Sequence, residues 1–131
     1  MIILGHPEIP FSPLFYVESI DEIAHTPPNA TLWLGSYRQA VTLARHCQEH
    51  DLPYGVMAEN PTDALKANAL RARYILAEMP LAQTIQKMAE TYLFDAKILV
   101  PIHEEEEMTA VAEAGIDGVI FQTAITLPES S

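Results

Sequence analysis

Cysteine is scarce in this sequence, and so are glycine and positive charge. A single cysteine, Cys47, stands among 131 residues, so no internal disulfide framework exists and burial must hold the fold together; a lone thiol fits a reducing compartment. Seven basic residues stand against eighteen acidic ones, a formal charge of −11. A surface of that sign repels phosphate backbones and lacks the counterion-release term that drives nucleic-acid binding, so no nucleic-acid partner is expected. Long apolar runs are missing too. The stretch from Ile98 to Ile102 spans only a few residues, where a bilayer-crossing helix needs about 20, so no membrane insertion is expected. The opening Met1-Ile2-Ile3-Leu4 carries no Lys or Arg in front of its short apolar run, unlike a secretory signal. The expected location is cytoplasmic.

What is present is an ordinary globular composition. Apolar residues make up 49% and charged residues 19%, and a chain of this length sits near the modal size of one domain with a real core. From Thr31 onward, short β-rich runs alternate with longer helical periodicity, the mark of parallel βαβ units. The runs are 31–34, 54–57, 74–77, 98–100 and 118–121. They read apolar throughout, as strands do when helices cover both faces of a sheet.

The intervening segments carry helix signals. Asn60-Pro61 followed by Asp63 is an N-cap, a first-turn proline and a first-turn acid. Pro80 opens the next helix, the acidic run Glu104 to Glu107 begins another at the positive end of its macrodipole, and Gly115 is a left-handed stop. Leu81, Ile85, Met88 and Tyr92 form one apolar stripe, and Ala40, Leu43, Ala44 and Cys47 another; each is expected to face the sheet.

The first thirty residues differ. Pro7, Pro10 and Pro13 suggest an extended arm, and Ser19 with Glu22 forms a capping box for a short helix over 20–25. Segments 2–4 and 15–17 read as extra edge strands. The expected fold is therefore α/β: a three-layer Rossmann-like open sheet, mostly parallel, with about five core strands and extra N-terminal edge strands. One domain covers 1–131, with an arm and edge elements over 1–30, a βα-repeat core over 31–122 and a tail over 123–131. Five strands are too few for an eight-fold barrel, which takes about 250 residues; a half-barrel completed by dimerisation is the alternative.

Chemistry is expected where strands end. Leu34-Gly35-Ser36-Tyr37-Arg38-Gln39-Ala40 joins a strand to a helix, the place of the glycine-rich turn in a dinucleotide fold, and Glu59 follows Gly35 by 24 residues, near the spacing of an acid that holds a ribose hydroxyl. Lining up all carboxyl ends of the strands gives a second constellation of Ser36, Glu59, Glu78, His103 and Glu104, acids and an imidazole suited to a divalent metal or to acid-base work. Cys47 reads as a buried, inert thiol, and His46 with His50 as an exposed helix face. No residue is assigned as catalytic or as a metal ligand.

From Ala30 to Phe121 the order of elements and the local wording resemble the N-terminal Rossmann domain of the TrkA and RCK regulators of potassium transport. The carrying residues are Leu34-Gly35 with Ala40, Glu59, the 67–72 run before Tyr74-Ile75-Leu76, and 114–120. The resemblance implies a regulatory domain that binds NAD or an adenine nucleotide and forms a homodimer, with Gly35, Ser36, Arg38 and Glu59 at the ligand. Two positions depart from the family pattern. Tyr37 and Ala40 stand where glycines are wanted, and the middle glycine exists so that backbone can approach a pyrophosphate. The expected function is a non-catalytic regulatory or interaction module binding a small nucleotide or anion. The alternative is a small enzyme using the strand-end Glu and His residues with a metal.

Overall fold

A computed structural model describes residues 1–127. Eight strands and five helices follow in the order β1 (Ile2–Leu4), β2 (Leu14–Tyr16), α1 (Ile20–Ile23), β3 (Thr31–Ser36), α2 (Val41–Glu49), β4 (Tyr54–Met57), α3 (Pro61–Ala69), β5 (Tyr74–Leu76), α4 (Leu81–Thr91), β6 (Lys97–Ile102), α5 (Glu107–Glu113), β7 (Gly118–Phe121) and β8 (Ile125–Thr126). One-turn 3₁₀ segments cover Tyr37–Gln39 and Gln122–Ala124. No helix among the described residues is long and apolar enough to cross a membrane.

The strands form one sheet in the order β1-β7-β6-β5-β4-β3-β2-β8, and every described pairing is parallel. The α/β class and the open, mostly parallel sheet expected from the sequence are both present. Strand number and layering differ from the expectation. From β2 to β7 each new strand is added on the same side of the last, with no reversal. Right-handed crossovers then deliver every helix to the same face, whereas a three-layer sheet needs a reversal of strand order to populate both.

The two apolar cores show this division. One joins the outward strand side chains, such as Leu32, Val56, Ile75, Ile98 and Val119, to Leu43, Ala64, Ile85 and Val111 of the helices. The other contains Leu4, Leu14, Leu76, Leu99, Ile120 and Ala124, flanked by Trp33 and Met57, and no residue of the five α-helices. Strands read as apolar throughout because both faces are buried, one under helices and the other by curling of the sheet on itself. Leu4 of β1 and Leu14 of β2 belong to the same inner core although six places separate them in strand order.

The segment read as a tail closes that curl. Ile125 of β8 pairs with Leu14, and just before it the Thr123 hydroxyl donates to the Gly5 carbonyl at 2.7 Å, so residues 123–126 bridge the two ends of the sheet. Residues 128–131 lie outside the described part. On the other side, β1 lies against Gly118, where an added methyl would overlap the Ile2 carbonyl and sit 2.7 Å from Ile2 Cβ. Only glycine allows that approach.

Helix ends follow their sequence signals. Asn60 Oδ1 accepts from Asp63 N at 2.8 Å, and Ser19 Oγ accepts from Glu22 N at 3.3 Å. Helix α5 starts at Glu107 rather than Glu104, because the carboxylate of Glu107 turns back to accept from His103 N and Glu104 N at 2.7 and 2.8 Å. The α4 stripe also differs. Its buried residues are Ala82, Ile85, Gln86 and Ala89, and Tyr92 is exposed. Ile85 is fully buried and Leu81 and Met88 pack half-buried against the outer core, so the stripe parts from the sheet only at Tyr92, which stands just past the last residue of α4.

Candidate functional site

In a parallel sheet all carboxyl ends share one rim, and ligands gather there. At the end of β3 the pairing with β4 slips between Trp33 and Ser36. Gly35 occupies the slip at φ +78, a left-handed conformation that a side chain would strain. The bulge aims Ser36 across β4, and its hydroxyl donates to Glu59 Oε1 at 2.6 Å.

Two further links complete this cluster. Glu59 N donates to Asp63 Oδ2 at 3.1 Å, and Arg38 Nε lies 3.6 Å from the same oxygen, with Asp63 almost wholly buried. Gly35, Ser36, Arg38 and Glu59 are thus brought together through Asp63, a residue that the sequence reading used only as a first-turn acid. The loop does not run straight into a helix. Residues 37–39 make a 3₁₀ turn and α2 begins at Val41. Tyr37 packs into the outer core, where burial and the Asp63 charge push its hydroxyl pKa up.

The second constellation surrounds the open end of the inner core. A cavity of about 220 Å³ there has Trp33, Met57, Leu76 and Ile120 for its floor, with Glu78, His103 and Gln122 among the polar groups at its edge. Period-two alternation explains the floor, since these side chains point inward while their strand neighbours meet helices. Glu78 and His103 also line an adjoining hollow of about 320 Å³ together with Glu107. Glu78 and Glu59 share a third, of about 430 Å³.

Of the strand-end residues singled out in the sequence, Glu59, Glu78 and His103 therefore border connected hollows. Ser36 is engaged with Glu59, and Glu104 is capped through its amide by Glu107. The hydrogen bonds from His103 N and Glu104 N hold the Glu107 carboxyl below its ordinary value. Trp33, Met57 and Gln122 escaped the sequence reading. Their one signal was position: Trp33 and Met57 alternate with outward residues, and Gln122 directly follows a strand.

The opposite rim carries a hollow of about 380 Å³ with Arg71, Arg73, Asp51 and Asp95 on its walls. Helix C-termini point to this end and favour cations there, which accounts for its arginines without a ligand. Cys47 backs the same hollow; burial pushes its thiol up to about 11, so it is un-ionised at neutral pH and a poor nucleophile.

No protein-family model matches this chain, and no curated protein matches it.

Proposed function

We propose that this chain is a non-catalytic, cytoplasmic regulatory module that binds a small molecule in the mouth of the curled sheet. The observation that carries this reading is the apolar well of about 220 Å³, edged by Glu78, His103 and Gln122. Pockets of this make-up, an apolar body with a few convergent polar groups, are the usual form of small-molecule sites. Glu59, Glu78 and Glu107 around the hollows favour a neutral or cationic head group over an anionic one. The ligand class is a compact apolar body bearing an amine or another hydrogen-bond donor.

Thermal-shift measurements on the full chain with a panel of aromatic and aliphatic amines, set against carboxylates of the same skeletons, test this. A binder present at 100 times its dissociation constant adds about 2.7 kcal/mol. Stabilisation by amines that Glu78→Gln weakens supports the mouth. Equal response to amines and carboxylates, or none to either, overturns it.

The Ser36–Glu59 bond of 2.6 Å favours a second reading, that of the nucleotide module. It puts a carboxylate beside the strand-loop junction where the ribose hydroxyl of NAD or an adenine nucleotide would seat, with Gly35 and Arg38 beside it and a homodimer as the assembly. Stabilisation by NAD, AMP or ATP that Glu59→Gln abolishes and Glu78→Gln spares supports this reading. No response to any of them counts against it.

A further inference from the structure

The loop after β1 and the loop after β6 meet on the carboxyl rim, across the end of β7. There His6 Nε2 lies 3.1 Å from Glu105 Oε1, and one donor atom each from His6, Glu8 and Glu105 falls within 4.8 Å of the others. We propose that these three residues form a binding site for a divalent transition-metal ion, of which Zn²⁺ is the type. This goes beyond the mouth ligand and does not depend on it.

Three features support the assignment. The donor set is one imidazole nitrogen and two carboxylate oxygens, a combination that suits Zn²⁺ and its neighbours better than Mg²⁺ or Ca²⁺, which prefer oxygen alone. Donors around a tetrahedral ion at about 2.0–2.1 Å stand about 3.3 Å apart, close to the His6–Glu105 separation, so closing the site asks chiefly for movement of the exposed, flexible Glu8 and Glu105 chains. The third feature is the setting of His6. Its ring is held edge-on to Phe121 at 5.7 Å, and its side chain is only 12% exposed, so the nitrogen donor is prepositioned while the carboxylates are free to adjust.

Loading has a definite proton balance. Nδ1 of His6 accepts from Glu8 N at 3.1 Å, so in the neutral ring the proton sits on Nε2, facing Glu105. A metal at Nε2 displaces that proton; Nδ1 takes one up, and the Glu8 amide gives up its acceptor. The turn stays held by the Ile9 amide on the His6 carbonyl at 3.1 Å, and it is the exposed Glu8 side chain that swings its carboxylate to the ion. Three protein donors leave a coordination position for water, the arrangement of an open rather than a closed structural site.

Calorimetric titration of the full chain with Zn²⁺ in a non-chelating buffer near neutral pH tests the proposal, with Co²⁺-induced broadening of amide NMR signals as the locator. One equivalent is expected to bind, with the amide signals of residues 5, 6, 8 and 103–107 broadened first. His6→Gln and Glu105→Gln are each expected to weaken binding by at least about tenfold. Glu105 is exposed and His6 largely covered, so the melting curve of each variant is measured first, and Glu105→Gln with an unchanged curve reads binding alone. The stacked pair of His46 in α2 and His50 at its C-cap is the competing chelator, and His46→Gln/His50→Gln should leave the affinity unchanged. The proposal is overturned if that double variant abolishes binding, if neither His6→Gln nor Glu105→Gln weakens it, or if no saturable binding occurs below about 1 mM.

Discussion

The two rims of the sheet are built to different ends. At the amino-terminal rim, side chains are spent on fastening. The Asp117 carboxylate accepts from Ile98 N at 2.9 Å and from Gln86 Nε2 at 3.2 Å, while Asp117 N donates to Gln86 Oε1 and its carbonyl accepts from Ile2 N. One residue thereby ties β1, β6 and α4 to the start of β7. Arg73 donates to Thr31, and Tyr54 donates to the last carbonyl region of α3 at Leu70. The hollow at that rim is walled by charged groups, Arg71, Arg73, Asp51 and Asp95, whereas at the carboxyl rim Glu78, His103 and Gln122 edge hollows with apolar walls. Parallel α/β barrels put stability at one end and ligands at the other, and the fastening half of that division is present here in a much shorter chain.

Substitutions can break that contrast, and the largest effect is expected where a strand has no room to move. Gly118→Ala drives a methyl into the Ile2 backbone and should cost about 3 kcal/mol in urea unfolding. Asp117→Ala, which strands the Ile98 amide and the Gln86 side chain, should cost about 2 kcal/mol, with Asp117→Asn between it and the parent. If either changes stability by less than about 0.5 kcal/mol, the fastening role of this rim is wrong.

A substitution of opposite sign sharpens the picture. Leu93, the residue after the C-cap of α4, is 84% exposed and held at φ +53, so Leu93→Gly should stabilise by up to about 1 kcal/mol by relieving left-handed strain. Glu78→Gln on the carboxyl rim should shift stability by under about 0.5 kcal/mol while weakening the mouth ligand. The smallest effect concerns acid. The Glu107 carboxyl titrates below its ordinary 4.5, so its capping contribution is present above that value and fades as pH falls through the lowered one. The stability gap between the parent and Glu107→Gln should therefore shrink between neutral and acid pH.

Much of this was legible in the chain. The five β-runs from Thr31 to Phe121, the Asn60 and Ser19 caps and the buried Ala40 to Cys47 stripe are local patterns, and locally determined features survive folding unchanged. Three left-handed helix stops were not legible. Asp51, Arg71 and Leu93 adopt positive φ as Gly115 does, but nothing in those residue types announces a conformation they adopt only because the next strand must turn back. The α4 stripe held for Leu81, Ile85 and Met88 and failed at Tyr92, because periodicity finds the apolar side of a helix and does not say where the helix ends. In the loop, Gly35 and Glu59 were found by spacing, but Asp63, which links Arg38 to the Glu59 backbone, was hidden in a cap signal.

By itself the sequence determined the alternation of strand and helix, the parallel sense of the sheet, and the acidic, disulfide-free character of the chain, because composition and short-range periodicity encode them. Only the tertiary structure decided that every helix lies on one face, that residues 123–126 bridge the ends of the curl, and that Trp33, Met57 and Glu78 share one mouth. Those outcomes depend on the order in which strands add to the sheet. That order is settled by burial of two faces at once, a long-range balance that no single segment carries.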